Sequence, residues 1–172
     1  MAPSDDKNAI AFEFGRLYAE KGDFRSALKS LTLAAEGFYA VKKLDEYLNC
    51  LNILLRIYAE KSDQENINRT KERLQDLVLK ENFDLNAKTY YTLGISASYK
   101  NQCDIALDYF QNSLALALAS DNKTDICFAI SGLAATYNKL GRLQEALKEI
   151  YNLKIFFEVI DVPDVKISSM LV

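Results

Sequence analysis

The chain has 172 residues, of which 49% are hydrophobic; it carries a formal net charge of −3 and contains no histidine. Without histidine, the usual Ser/His and Cys/His nucleophile pairs and the imidazole metal ligands are excluded, so we expect no enzyme, no metal and no cofactor. The slightly acidic balance also argues against a nucleic-acid partner, because affinity for nucleic acid depends on basic side chains that neutralise phosphates.

The sequence also bears on location. No uncharged apolar run is long enough to span a bilayer, and residues 1–8 are polar and acidic rather than basic and then apolar, so we expect neither a membrane span nor a signal peptide. Cys50, Cys103 and Cys127 are odd in number and have no metal or disulfide spacing. Cysteines of this kind fit a reducing, cytoplasmic environment.

Polar turns divide the chain into eight predicted helices. The turns lie at residues 21–23, 42–45, 62–64, 82–84, 101–104, 120–124 and 140–142. Between Pro3 and Pro163 no proline interrupts a helix, and the chain contains only six glycines. The sequence therefore predicts an all-α fold, with Asp45, Asp84 and Asp104 as N-caps whose side-chain oxygens accept first-turn amide hydrogens.

An internal repeat organises these helices. The sequence Leu-Tyr-Ala-Glu-Lys at 17–21 returns as Ile-Tyr-Ala-Glu-Lys at 57–61, about 40 residues further along the chain. Similar steps continue and define four units, about 8–44, 45–83, 84–122 and 123–162, followed at 163–172 by the start of a further helix. Each unit is predicted to be an antiparallel helix pair.

Rows of large and of small residues recur at the same steps. The large row is predicted to be core: Phe14, Leu54, Leu93 and Leu133. Small residues on the first helices (Gly15, Gly94, Ala134) are expected to face small residues on the second helices (Ala27, Ala106, Ala146), so that the two helices approach closely. The second unit has Leu55, Ile67 and Lys71 in these rows, and its second helix is therefore expected to dock loosely.

Two segments resemble tetratricopeptide repeats, namely 14–28, FGRLYAEKGDFRSAL, and 133–147, LAATYNKLGRLQEAL. A period of this length also suits HEAT or armadillo arrays, but the spacing of the small residues favours the tetratricopeptide family. Units of this length are similar to those of kinesin light chain, LGN-type adaptors and Rap regulators. The resemblance implies a right-handed superhelix of four antiparallel helix pairs plus a terminal helix, acting as a non-enzymatic protein-interaction module.

The resemblance also implies that the first helix of each pair lines a concave groove. Applied to this chain, it assigns these partner-binding residues: Phe12, Arg16, Asn49, Asn52, Arg56, Lys88, Tyr91, Tyr99, Phe128 and Asn138. Asparagine amides can bond a peptide backbone in both senses and guanidinium groups pair with carboxylates, so the expected ligand is an acidic or amphipathic segment of a protein partner. The competing interpretation is that Arg16 with Glu20, and Arg56 with Glu60, form only surface ion pairs worth ~0.3 to 0.5 kcal/mol each.

A second function stays open. One further repeat step from Ala134 falls beyond Val172, so the array is expected to continue past the given sequence. The chain would then be the regulatory or sensory portion of a longer signalling protein, packing on a downstream domain or self-associating through a C-terminal face. That face is expected to expose Ile155, Phe156, Val159, Val165 and Ile167.

Overall fold

The structure, a computed structural model, describes residues 3–160, with side chains described from residue 7 to residue 155. This part of the chain contains eight α-helices and no strand, which confirms the predicted all-α class. The helices are α1 Pro3–Glu20, α2 Phe24–Ala40, α3 Leu44–Glu60, α4 Gln64–Glu81, α5 Ala87–Tyr99, α6 Cys103–Ala119, α7 Lys123–Lys139 and α8 Leu143–Ile160. The further helix expected at 163–172 lies outside the described residues.

The helix boundaries reproduce the period of the sequence. The second helices of the four pairs begin at Phe24, Gln64, Cys103 and Leu143, so their starting points are almost evenly spaced. Six of the seven connections are three residues long, and such short links make consecutive helices antiparallel neighbours. The described helices therefore form an all-α, repeat-like protein.

The three-residue turns share one backbone geometry. In each, the middle residue has a positive φ, for example +76° at Gly22 and +71° at Gly141, and between 49° and 57° at Lys42, Ser62, Asn101 and Asp121. In the first turn Gly22 N–H donates to Ala19 O at 3.1 Å and Asp23 N–H to Tyr18 O at 2.9 Å. These two hydrogen bonds satisfy carbonyl groups at the end of one helix, and the positive φ turns the chain towards the start of the next helix.

The predicted N-caps are wrong by a few residues. Asp45 and Asp104 lie inside the first turns of α3 and α6, where a carboxylate meets the positive end of the helix dipole, and Asp84 lies between α4 and α5. The side chains that accept first-turn amide hydrogens end the turns instead: Asp23, Asp63, Asn86 and Asn122.

The helices group into two compact units, one ending at Leu85 and the other beginning at Asn86. In the first unit α1 packs on α2 and α3, α2 packs on α3, and α3 packs on α4. The centre of this unit is α3, whose Leu48, Leu51, Leu55 and Ile57 are almost fully buried. Because α3 has neighbours on several sides, it is apolar around most of its circumference.

The second helix of the second pair, α4, buries an apolar stripe. Ile67, Leu74 and Leu77 of α4 are buried, and so is Thr70. The Thr70 hydroxyl donates to the carbonyl oxygen of Asn66 at 2.7 Å, so this polar side chain is satisfied within its own helix. Even so, α4 lies against its pair partner α3 over fewer residues than the second helix of any other pair, which agrees with the loose docking expected from the sequence.

The core of the second unit is built around one phenylalanine. Here α5 packs on α6 and α7, α6 on α7, and α7 on α8. The ring of Phe110 lies between Gly94 of α5 and Gly132 of α7, and a Cβ placed on either glycine would lie 2.6 Å from a ring carbon. Leu107 and Leu133 complete the surrounding cluster.

Large side chains fill the space beside the small residues of the first helices. The three atoms nearest to a Cβ on Gly15 would belong to Leu31, and those nearest to one on Gly94 would belong to Phe110. The expected close approach is present, but its partner lies one helical turn further along the second helix. The reason is steric, since the space left by a missing side chain is filled most completely by a large one.

One residue of the large row is not core. Leu54, Leu93 and Leu133 are buried, whereas Phe14 of α1 is 53% exposed and stacks on Tyr18 with ring centroids 6.3 Å apart. Among the described residues α1 packs only on α2 and α3, so the side of α1 that carries Phe14 has no helix against it.

Candidate functional site

The first helices of consecutive pairs lie side by side within each unit, α1 with α3 and α5 with α7. Within residues 3–160 the backbones of the second helices do not meet in the same way, neither α2 with α4 nor α6 with α8. Each unit therefore presents one surface built from its first helices. We name these the α1–α3 face (Phe12, Arg16, Asn49, Asn52, Arg56) and the α5–α7 face (Lys88, Tyr91, Tyr99, Phe128, Asn138).

On the α1–α3 face, Arg16 is engaged by its own helix. Its Nη2 lies 2.9 Å from Glu13 Oε2 and its Nη1 lies 2.5 Å from Glu20 Oε1. These partners, the Glu13 hydrogen bond first, raise the pKa of the Arg16 guanidinium above its usual value. The predicted pair with Glu20 is present, and Glu13 is a partner that the sequence reasoning missed.

The equivalent arginine one repeat later behaves differently. Arg56 is exposed, and among the described residues it forms no ion pair, so the expected pair with Glu60 is absent. The position of Glu13 is taken by Ile53 in α3, and Arg56 thus lacks the second carboxylate that fixes Arg16. Arg56 is therefore an exposed cation without an ion pair among the described residues of this face.

The remaining members of the α1–α3 face are partly or fully enclosed. Phe12 is half-buried and meets Phe38 of α2 edge to face, with ring centroids 6.4 Å apart. Asn49 is half-buried, and Asn52 is only 2% exposed. A partner cannot reach Asn52 in this arrangement, so the structure removes it from the accessible surface.

The α5–α7 face carries aromatic rings that contact the buried core of the second unit. The ring of Tyr91 lies 5.4 Å from that of Phe128 and 5.6 Å from that of Phe110. Phe128 is 43% exposed, Tyr99 is more exposed still, and Asn138 is also at the surface. The chain of rings runs from the buried Phe110 through Tyr91 to Phe128, which holds the exposed ring in place.

Charged groups border this aromatic surface. Burial raises the pKa of Asp125 above its usual range, and the nearby Lys88 ammonium partly offsets that rise. Lys139 of α7 donates from Nζ to the carbonyl oxygen of Ser98 on α5 at 3.1 Å. The sequence reasoning missed Asp125 and Lys139, because only the packing of α7 on α5 brings them to this surface.

A cavity of about 270 Å³ lies elsewhere in the first unit, and no motif in the sequence indicated it. Its lining is Glu36, Tyr39, Tyr47, Arg73, Asp76 and Leu77. At one edge Tyr39 donates its hydroxyl to Glu81 at 2.9 Å, and Lys42 Nζ lies 2.6 Å from the same oxygen. These bonds, the one from Lys42 first, hold the pKa of Glu81 below its usual range and link α2 to the end of α4.

No model of a known protein family matches this chain, and no curated protein matches it either. Within residues 3–160 no helix has the length and apolar character needed to cross a membrane. The same part of the chain contains no group of three or more histidine, cysteine, aspartate or glutamate side chains placed to hold a metal ion.

Proposed function

We propose that this chain is a non-enzymatic protein-interaction module of the tetratricopeptide type, which binds a peptide or an extended segment of a partner on the faces of its first helices. The regular recurrence of its helix pairs supports this proposal, together with the resemblance of residues 14–28 and 133–147 to that family. Repeat proteins of this kind present extended binding surfaces. A cytoplasmic location would fit the reduced cysteines.

The observation that carries the proposal is the aromatic pair on the α5–α7 face. Phe128 is exposed yet held by Tyr91, which itself packs on the buried Phe110. An aromatic ring that is already fixed loses little conformational freedom when a partner covers it, and such rings dominate binding energy at many interfaces. Phe128 is therefore the expected anchor.

Charge favours an acidic or amphipathic ligand. Lys88 is exposed on the helix that carries Tyr91, and Arg56 is exposed on the α1–α3 face. On the α5–α7 face a ligand carboxylate can pair with Lys88 while apolar ligand side chains cover the aromatic rings, and such charge pairing raises the association rate. Arg16 contributes less than the sequence suggested, because Glu13 and Glu20 already hold it.

A displayed library of random peptides tests the proposal. Peptides enriched on the wild-type protein should bind Phe128→Ala at least tenfold more weakly, a loss of about 1.4 kcal/mol or more. The matched control is Leu118→Ala, which truncates a residue that is also exposed but lies on α6, and it should leave affinity unchanged. Arg56→Ala should weaken acidic peptides more than Arg16→Ala does.

Two results would contradict the proposal. A library from which no peptide is enriched would argue against peptide binding altogether. Enriched peptides that tolerate Phe128→Ala but lose affinity for Leu118→Ala would place the binding surface on the second helices.

A regulatory role is the second candidate. It is favoured by the exposed apolar side chains of α8, among them Leu143, Leu147 and Ile150, which suit packing against a further domain or a second copy.

A further inference from the structure

Helices α1 and α8 each expose an apolar stripe at positions that are buried against a neighbouring helix in other repeats of the same chain. On α1 the exposed half is a stripe of Ile10, Phe14 and Leu17, which are 55%, 53% and 43% exposed. The residues at the same repeat positions in α3 are Cys50, Leu54 and Ile57, and these are 0%, 2% and 1% exposed. The difference is that α3 packs on the second helix of the preceding pair, α2, whereas α1 has no such neighbour among the described residues.

The stripe on α8 is the complementary half. Leu147 and Ile150 are 60% and 36% exposed, and Leu143 beside them is exposed as well. Their repeat equivalents in α6, Leu107 and Phe110, are 6% and 1% exposed, because α7 packs on α6. The α8 stripe thus corresponds to the surface of α6 on which α7 packs, and the α1 stripe corresponds to the surface of α3 that packs on α2.

We propose that a second copy of this chain supplies the missing half, so that the α1 stripe of one copy docks on the α8 stripe of another. The internal contacts of α2 with α3 and of α6 with α7 are the template for this contact. Because the two surfaces differ, the contact is head to tail, and repeating it builds a series of copies, open or closed into a ring, in which each copy uses both stripes. This inference is independent of the binding faces on the first helices.

The size of the stripes sets the strength. Six side chains, each about half exposed, remove on the order of 600 Å² from water if a large side chain is taken as about 200 Å². Stable specific interfaces bury about 1,600 Å². The association is therefore weak, and it becomes visible only at high protein concentration.

The test uses one substitution on each stripe. In Phe14→Glu the α1 stripe carries a charge, in Leu147→Glu the α8 stripe does, and sedimentation across a concentration series follows the mass of each protein. Wild-type protein should form a growing series of species, and each variant alone should associate at least tenfold more weakly. An equal mixture of the two variants should form a one-to-one pair and nothing larger, since it contains one intact stripe of each kind. The matched control is Leu79→Glu, which changes a leucine that is 81% exposed on α4 and should leave the series unchanged.

Three outcomes would overturn the inference. These are wild-type protein that stays monomeric throughout the series, a Phe14→Glu variant that still associates with itself, and a mixture that fails to pair. Circular dichroism verifies that each variant is folded, and the pair Ile10→Glu with Leu143→Glu replaces the first pair if either of those variants is not. Self-association of Phe14→Glu would show a symmetric contact of α8 with α8, and persistent monomers would assign the stripes to a different partner.

Discussion

Substituting Gly132 by alanine should lower stability, although alanine favours helices. In the interior of a helix this change is worth about 1 kcal/mol of added stability through intrinsic propensity. At this position the new Cβ would lie 2.6 Å from the Phe110 ring. The ring has little room to retreat towards α5, because it already lies so close to Gly94 that a Cβ there would also be 2.6 Å away. Overpacking of this kind costs up to about 3 kcal/mol, so we expect a net loss of about 2 kcal/mol.

Removing the ring should reverse the sign. Phe110→Ala alone should cost ~3 to 5 kcal/mol, because it leaves a cavity in the core of the second unit. When Gly132→Ala is added to that variant, no ring opposes the methyl group, and the helix propensity of alanine should return about 1 kcal/mol. The coupling between the two positions is then about 3 kcal/mol, well above the values for independent sites.

Native-state hydrogen exchange of peptides from α7 is the suitable measurement. A denaturation midpoint would not distinguish the two compact units, whereas exchange in α7 reports on the unit that contains Gly132. Ala135→Gly is the control, because Ala135 is exposed on the same helix and the change should cost about 1 kcal/mol through propensity alone. If Gly132→Ala changes the free energy of unfolding equally with and without the Phe110 ring, packing of that ring between Gly94 and Gly132 does not limit stability.

Three further outcomes are expected. Gly22→Ala should destabilise the protein by about 1 kcal/mol through the positive φ alone, since no atom lies within 4 Å of the added Cβ. Ser62→Gly should stabilise it by up to about 1 kcal/mol, because Ser62 also has a positive φ. Equal effects of the two substitutions in thermal melts would count against the turn geometry. Burial raises the pKa of Cys50 to about 12, so this thiol should resist a thiol reagent at pH 8 in the folded protein, and rapid labelling would refute its burial. The free energy of unfolding should fall as the pH rises from about 9 towards 12, because the unfolded state loses the Cys50 proton first. Amide exchange should be faster across α4 than across α8, because α4 lies against its pair partner over fewer residues than α8 does. The opposite order would count against the loose docking that the sequence suggested for α4.

The helices and their period could be read from the sequence because both depend on local chemistry. Polar turn residues with a glycine such as Gly22 or Gly141 mark helix ends, and the repeat transfers that assignment to turns without glycine. Burial could not be read in the same way. Phe14 and Leu54 occupy equivalent positions and are both apolar, yet one is exposed and the other buried, because only α3 has a preceding helix to cover it.

The candidate faces show the same limit. Arg16 and Arg56 each precede a glutamate on the next helical turn, and only Arg16 is paired. An exposed ion pair gains a few tenths of a kcal/mol, so a single additional carboxylate such as Glu13 decides whether it forms. Asn52 is polar and was expected at the surface, but the residues around it in α3 are leucines that the fold buries on several sides.

The connection between α4 and α5 shows where this chain tolerates a change of length. It spans five residues rather than three, and α5 has 13 residues where α3 and α7 have 17, yet α6 still begins where the repeat period requires. The shortening of α5 by four residues is offset by two extra residues in the connection and one in α4, so the period changes by only one residue. Lineages of such a protein should therefore gain and lose residues around Phe83, whereas a residue inserted beside Asn101 would break the hydrogen bonds from Asn101 and Gln102 to the end of α5.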